Sequence, residues 1–418
     1  MQSTFDIYTT LKKKLSGLSY HNVDLCLPAA AIVANLLFRN TSERRKKRSA
    51  RKLLWREPKL TNANALSGQV ISWNLERADH KKNVHELHTH LSSADEKWTL
   101  VHIADITKDY RKAVRPKHLW RALLMTFSIQ AERQHFIFVW AALVYTMKYL
   151  DALERKGIPS SITKLVSYNS SNIPECFLVA ACNSHAVPTF SVQHSLYQDY
   201  YATPPLDVIN YENVVAKSLL VWSEFCRGQI IAFYERNGRT PNFEMPVTGY
   251  LNFSPRRGSL KQPNAEPKTI LCLLPRDEID SSILLMKILL DMDEQHQILV
   301  RFHPVASRDK ILPAPLPANF AIDQEPLLST TLSKRDISVA VGFNTTSLFD
   351  ALLFDIPCAL FSAPDGTYHI NNFPCFETRE ELERFIKTPR LTRDIADYVL
   401  GAHISRYSEI LNSCNTPV

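Results

Sequence analysis

Residues 336–361 read DISVAVGFNTTSLFDALLFDIPCALF. The run Ile337–Val341 is apolar and β-branched, which predicts a buried strand. Gly342-Phe343-Asn344-Thr345-Thr346-Ser347 then forms a small, polar turn. A helix is expected over Ser347–Leu353. Pro357 stops it, and Cys358–Phe361 predicts a second strand. The turn gathers hydroxyls and backbone N–H groups at a helix N-terminus, which carries about half a positive charge and attracts phosphate.

Two further strand ends point the same way. The strand expected over Gln297–Phe302 runs into His303-Pro304, and Arg276 follows the strand expected over Thr269–Leu274. In open parallel sheets, ligands bind outside the carboxyl ends of the strands. Arg276, His303, Asn344, Thr345, Thr346 and Ser347 are therefore the expected phosphate-binding set. Asp350, one helical turn beyond Ser347, either accepts hydrogen bonds from ribose hydroxyls or is an ordinary first-turn acid.

The chain has 418 residues, enough for two domains. It is 45% hydrophobic and 22% charged, a globular composition. With only 10 Gly there is no G-x-G and no Walker A pattern, which argues against a dinucleotide fingerprint or a P-loop. The 8 Cys form no C-x-x-C pair, so a reducing compartment is expected and neither a disulfide framework nor a zinc ribbon. No secretory pattern is read at the N-terminus.

Charge is uneven. Residues 1–60 hold 13 Lys+Arg against 4 Asp+Glu, a net +9; the whole chain is +7, so residues 61–418 sum to −2. The densest basic run is Arg44–Lys52, followed by Leu53-Leu54-Trp55. Residues 42–56 are expected to meet an anionic membrane surface, and the apolar stretch Leu25–Phe38 either joins them there or is a buried helix. Phe136–Met147 is expected as a buried helix, since it is shorter than a bilayer span. A polyanion-binding role for the basic run is the alternative, but the acidic balance of the remainder offers no basic face for nucleic acid.

The expected organisation is a helical basic arm over 1–60, an α/β domain over 61–251, and a Pro-rich linker over 252–268. A second α/β domain over 269–390 and a terminal helix over 391–418 complete it. A long helical pattern covers 115–156. In the first domain the strand Val187–Val192 ends in Gln193-His194-Ser195, with Tyr197 beyond it. Gln193 and Tyr197 are expected on an acceptor side, and His194 and Glu224 are the candidate catalytic groups. His85, His88 and His90 lack the spacing of a zinc site, so no metal is expected.

Together the Gln193-His194 strand end, Trp222-Ser223-Glu224, Val247-Thr248-Gly249-Tyr250, His303-Pro304 and TTSLFDALLFDIP (345–357) resemble, in that order, the GT-B-fold transferases of bacterial surface polysaccharides. These include capsule transferases that use CMP-sugars and CDP-glycerol glycerophosphotransferases. The likeness covers roughly 160–390, with Ser195 standing where the family commonly has Gly. It implies an α/β fold of two Rossmann-like domains facing across a cleft. It also implies a nucleotide-sugar donor held by His303 and the Thr345–Ser347 turn, with Asp350 near the ribose. Gln193 and His194 would line the side of a glycan or lipid-linked glycan acceptor. The implied activity is glycosyl transfer, most simply from a CMP-sugar, without a cofactor or metal, in the cytoplasm at the inner face of the cell membrane. Polyol-phosphate transfer from CDP-glycerol and nucleotide-sugar 2-epimerisation are the alternatives of related architecture.

Overall fold

The computed structural model describes residues 3–413, except 40, 62, 75–76, 93–96, 112–114, 198–203, 205, 252–268, 277, 305, 307, 313–314, 364–369 and 402–405. The expected linker 252–268 lies outside the described residues. The chain divides into two α/β units. The first takes residues 1–221, 227–251 and 404–418; the second takes 222–226 and 252–403.

The principal elements of the first unit are α1 (Thr4–Leu15), α2 (Cys26–Leu37), α3 (Glu43–Trp55), β1 (Gly68–Trp73), α4 (Ala78–Ser92), β2 (Trp98–His102), α5 (Pro116–Ser128), α6 (Phe136–Glu154), β3 (Ile162–Ser167), α7 (Glu175–Ser184), β4 (Thr189–Val192), β5 (Ser218–Leu220) and α8 (Glu224–Arg236), whose first turn is counted with the second unit. The strands form one parallel sheet in the order β2-β1-β3-β4-β5. The first strand therefore lies inside the sheet, and the order reverses between β1 and β3. A short antiparallel ribbon, Arg56–Leu60 with Thr107–Arg111, lies outside this sheet.

The second unit contains β6 (Thr269–Leu274), α9 (Ile279–Leu290), β7 (Gln297–Phe302), β8 (Phe320–Ile322), β9 (Val339–Gly342), α10 (Ser347–Leu353), β10 (Cys358–Phe361), β11 (Cys375–Phe376), α11 (Arg379–Lys387) and α12 (Arg393–Leu400). A last helix, α13 (Arg406–Ser413), belongs to the first unit. The second sheet is also wholly parallel, ordered β8-β7-β6-β9-β10-β11. Numbered within the unit this is 3-2-1-4-5-6, a doubly wound arrangement that reverses between β6 and β9. Ile270–Leu274 and Val339–Gly342 are buried without interruption, as strands covered on both faces must be.

Three expectations change. Residues 1–60 are largely helical up to Trp55, but they are no arm. Tyr8 donates to Glu212 at 2.6 Å, Lys12 reaches the same carboxylate at 2.9 Å, and Asn213 donates to the Leu27 carbonyl at 3.0 Å. α2 is buried along nearly its whole length, so Leu25–Phe38 is core and not a membrane segment. The helical pattern over 115–156 breaks into α5 and α6, with Gln130 at φ 50° in the turn between them. The terminal helix expected over 391–418 is likewise two helices, with Gly401 at φ 73° closing α12, and only α12 stays with the second unit. Tyr407 and Leu411 of α13 are buried in the first unit's core with Ile71, Val84 and Tyr168.

Glu212 is the anchor of the N-terminal helices. It is 1% exposed and also accepts from Arg239 at 2.8 Å. Removing one partner of a buried ionic cluster costs about 3–5 kcal/mol, because the remaining charges stay desolvated. Glu212→Ala should lower the urea stability of the protein by that amount. It should also expose the Lys12–Lys14 bonds to trypsin well before the rest of the chain.

Candidate functional site

The reversal point of the second sheet is built around Gly342. It pairs with Leu273 across β6 and β9, and a Cβ at position 342 would stand 2.4 Å from the Leu273 carbonyl oxygen. Only glycine lets the two strands meet here. The chain then turns through Phe343, which is fully buried with its ring 5.7 Å from that of Phe361. Asn344 follows in the left-handed region, φ 46°, a conformation asparagine tolerates. A buried aromatic thus pins the turn, and Asn344 to Ser347 are left half-buried at the sheet edge.

The expected residues gather around this edge. The Asn344 amide reaches Glu278 Oε1 at 3.4 Å, which ties the turn after β9 to the start of α9. The His303 N–H donates to the Leu274 carbonyl at 3.1 Å, and its own carbonyl accepts from Ala306 at 2.9 Å. His303 therefore stands where β7 leaves the sheet beside the end of β6. Arg276 is exposed two residues past β6. The three hydroxyls of the turn do not act alike. Thr345 Oγ1 accepts from the Ser347 N–H at 3.3 Å, whereas Thr346, the cap residue of α10, makes no side-chain cap hydrogen bond. Its carbonyl accepts from Phe349 and Asp350. Asp350 is half-buried in the first turn of α10.

In the first unit, the corresponding reversal lies between β1 and β3, and it carries a second cluster. α4 begins just after β1. Arg77 pairs with Asp79 at 2.5 Å, and His80 Nε2 lies 3.9 Å from Asp79. The His80 ring is 5.1 Å from Tyr168, the residue after β3, and 5.8 Å from His194, two residues past β4. Tyr168 accepts from Asn83 at 3.4 Å. His194 also meets Tyr168 at 5.9 Å and Tyr197 at 6.2 Å.

The electrostatics follow from burial. His194 as a residue is part-exposed, but its Nδ1 is enclosed without a hydrogen-bond partner. Burial, with the neighbouring His80 and Arg77, pushes the imidazole down to about 3. At neutral pH it is an uncharged hydrogen-bonding group. Beneath the cluster, Glu175 opens α7 fully buried and accepts from the Ser167 hydroxyl at 2.8 Å. Burial pushes its carboxyl up to about 8.

Gln193 and Tyr197 are structural. Gln193 is fully buried and donates to the Ser195 carbonyl at 2.9 Å, so it shapes the turn and does not line an acceptor surface. Tyr197 is 3% exposed and packs 4.9 Å from Tyr211. Glu224 is exposed at the first position of α8 and is counted with the second unit. His85 is exposed, and His88 Nε2 lies 3.0 Å from the Trp98 carbonyl; among the described residues no group of three His, Cys, Asp or Glu side chains could hold a metal ion. Arg77, Asp79, His80, Tyr168 and Glu175 escaped the sequence reading. The strands ahead of them were recognised, and the strand-end rule that singled out His303 applies equally to Tyr168.

No family model matches this sequence, and no curated protein matches it. Solved structures of similar form are known. UDP-GlcNAc 2-epimerase from Methanocaldococcus jannaschii, in complex with UDP-GlcNAc and UDP, has TM-score 0.49 and 10% identity over 83% of this chain and 99% of its own. The glycosyltransferase of kitacinnamycin has TM-score 0.46 and 10% identity, over 83% and 99%. A UDP-forming trehalose-phosphate synthase from Burkholderia xenovorans has TM-score 0.45 and 11% identity, over 83% and 98%. The strand orders above, and not these likenesses, establish the two parallel α/β units.

Glu175 and His194 act oppositely on stability. Glu175 keeps in the folded state a proton that the unfolded chain releases above its ordinary 4.5, so stability falls as pH rises from about 4.5 to about 8. His194 refuses a proton that the unfolded chain takes up below its ordinary 6.5, so stability falls as pH drops from about 6.5 to about 3. The effects offset each other between those ordinary values. Glu175→Gln should remove a loss of up to ~1.4 kcal/mol per pH unit on the alkaline side, and His194→Asn a similar loss on the acid side. Urea titrations across pH 3–8 on both variants would read the two limbs separately.

Proposed function

We propose that the second unit binds the nucleotide of a nucleotide-activated sugar and that the protein is a glycosyltransferase. One observation carries this reading. The sheet reverses between β6 and β9, and the ends of β6, β7 and β9 bring Arg276, His303 and the Asn344–Ser347 turn to that edge. Where a doubly wound sheet reverses, a crevice opens outside the strand ends, and nucleotides are bound there. Arg276 supplies charge, His303 a ring N–H, and the turn its hydroxyls and backbone N–H groups. Each of these strengthens as negative charge grows on a departing phosphate. Asp350 is assigned to the ribose.

The first unit is assigned the acceptor. Of its cluster only His194 is part-exposed, its ring backed by the buried His80 and Tyr168, and it is the group proposed to face a sugar. His194 and Glu224 are the two groups proposed to take the acceptor's proton. The ordered motifs favour a CMP-sugar donor and a bacterial surface glycan as product. Polyol-phosphate transfer from CDP-glycerol would use the same nucleotide site. No step in this scheme needs a metal or cofactor.

Calorimetric titration with CMP, CDP, UDP and GDP, and with sugars linked to each, tests the assignment. At least one should bind, and His303→Ala and Ser347→Ala should each weaken it roughly 10- to 100-fold, the loss of one hydrogen bond to a charged group. If neither substitution weakens binding, the site is elsewhere. Turnover of the bound nucleotide sugar without any acceptor would replace glycosyl transfer with epimerisation.

A further inference from the structure

α5 is turned inside out. His118, Ala122 and Thr126, at four-residue spacing, are buried, while Trp120, Leu124 and Phe127 are 64%, 54% and 62% exposed. A surface helix ordinarily hides its large apolar residues and shows its small and polar ones. Here the small and polar residues pack toward α6: His118 bonds Asp151 at 2.9 Å, and the Leu119 carbonyl accepts from Trp140 at 3.1 Å. Trp120, Leu124 and Phe127 follow i, i+4, i+7 and so form one outward stripe. The stripe continues through Phe136, whose ring lies 5.1 Å from Phe127, into a shallow pocket of about 310 Å³ beside Arg133. A contiguous apolar patch of this kind marks an interaction surface.

The surroundings are cationic. α3 carries seven Lys and Arg against one Glu, and Arg44, Arg45, Arg48, Arg51 and Lys52 are exposed. α3 lies on the same supporting helix as α5, because Lys148 of α6 donates to the Leu54 and Arg56 carbonyls at 2.7 and 3.0 Å. Glu57, just past α3, pairs with Arg115, just before α5, at 2.5 Å. α3 ends in Trp55, which is 57% exposed. α5 itself adds Arg121, carries Lys117 paired with Asp151 at 3.0 Å, and has no acidic residue.

From this arrangement we infer that α5 inserts its Trp120–Leu124–Phe127 stripe into an anionic lipid bilayer, with α3 holding the headgroups. The occupant follows from the chemistry. Anionic headgroups match the cations of α3, and a Trp/Leu/Phe stripe matches the boundary between headgroup and acyl chain. The earlier candidate for insertion, Leu25–Phe38, is core, and α5 takes its place.

The test uses the full chain with vesicles of phosphatidylcholine alone or with 30 mol% phosphatidylglycerol. Flotation should recover the protein only with the anionic vesicles, and recovery should fall as salt rises. Trp120→Ser with Leu124→Ser should reduce partitioning at least tenfold while leaving the circular dichroism spectrum and nucleotide binding unchanged. Arg44→Gln, Arg45→Gln and Arg48→Gln together should do the same. Should the apolar variant fail to fold, quenching of wild-type tryptophan fluorescence by brominated anionic lipid replaces it, and absence of quenching refutes insertion. Equal flotation with neutral vesicles, or unchanged flotation of the apolar variant, overturns the inference. So does a wild-type dimer that the apolar variant turns into a monomer without any vesicle binding, since the stripe would then face a second copy. Salt-sensitive capture of RNA with no vesicle binding would overturn it too.

Discussion

Parallel pairing is the constraint on which both units depend. It sends every strand of a sheet in one direction, so all the carboxyl ends and the turns that follow them collect along a single edge. Reversing the strand order then separates two neighbouring turns and leaves room between them. In the second unit the reversal demands close approach of β6 and β9, and Gly342 against the Leu273 carbonyl is the contact that permits it. The turn assigned to the phosphate hangs from that pair: Phe343 is buried behind it, Asn344 stands in the left-handed region beyond it, and Thr345–Ser347 lie at the edge. Rigid strands place these groups, and short turns present them, which is how a parallel sheet supports chemistry.

The first unit solves a different problem. It must fold three N-terminal helices, α1 and α3 rich in charge and α2 apolar, onto an α/β sheet. Buried carboxylates do this. Glu212 gathers Tyr8, Lys12 and Arg239, and Asp151 gathers Tyr20, His118 and Lys117 at 2.7 to 3.0 Å. Each cluster joins segments far apart in the chain, so each specifies which helix lies where. Burial alone would not distinguish these helices, since α2 and α6 are apolar nearly all round. A further buried acid, Glu175, accepts from the Ser167 hydroxyl and is kept neutral by its surroundings, which spares the core an unpaired charge.

Much of the second unit was legible residue by residue. Thr269–Leu274, Gln297–Phe302, Ser347–Leu353 and Cys358–Phe361 form over the expected ranges. Their runs are bounded by His303-Pro304, Gly342 and Pro357, so local chemistry marks their ends. The first unit was legible only in part. Gly401 split one expected helix and the segment after Ser128 another, because the pattern of apolar residues carries across a break that only the backbone reveals. His80 and Tyr168 were passed over, since a lone His at a helix start and a Tyr after a strand have no motif until the fold brings their rings to 5.1 Å. Gln193 was read as a ligand for the opposite reason: its position at a strand end was right, but burial turned its amide onto Ser195.

By itself the sequence determined the alternation of strands and helices, the carboxyl-end turns with Arg276, His303 and Asn344–Ser347, and the concentration of positive charge before residue 60. These depend on side-chain size, backbone freedom and charge within a few residues, all of which are local. Only the tertiary structure decided the strand orders, the neutrality of His194, the burial of α2 and the outward face of α5. Each of these is set by contacts between residues distant in the chain. An apolar helix looks the same in sequence whether it enters the core or leaves its tryptophan in water; what packs against the opposite face makes the difference.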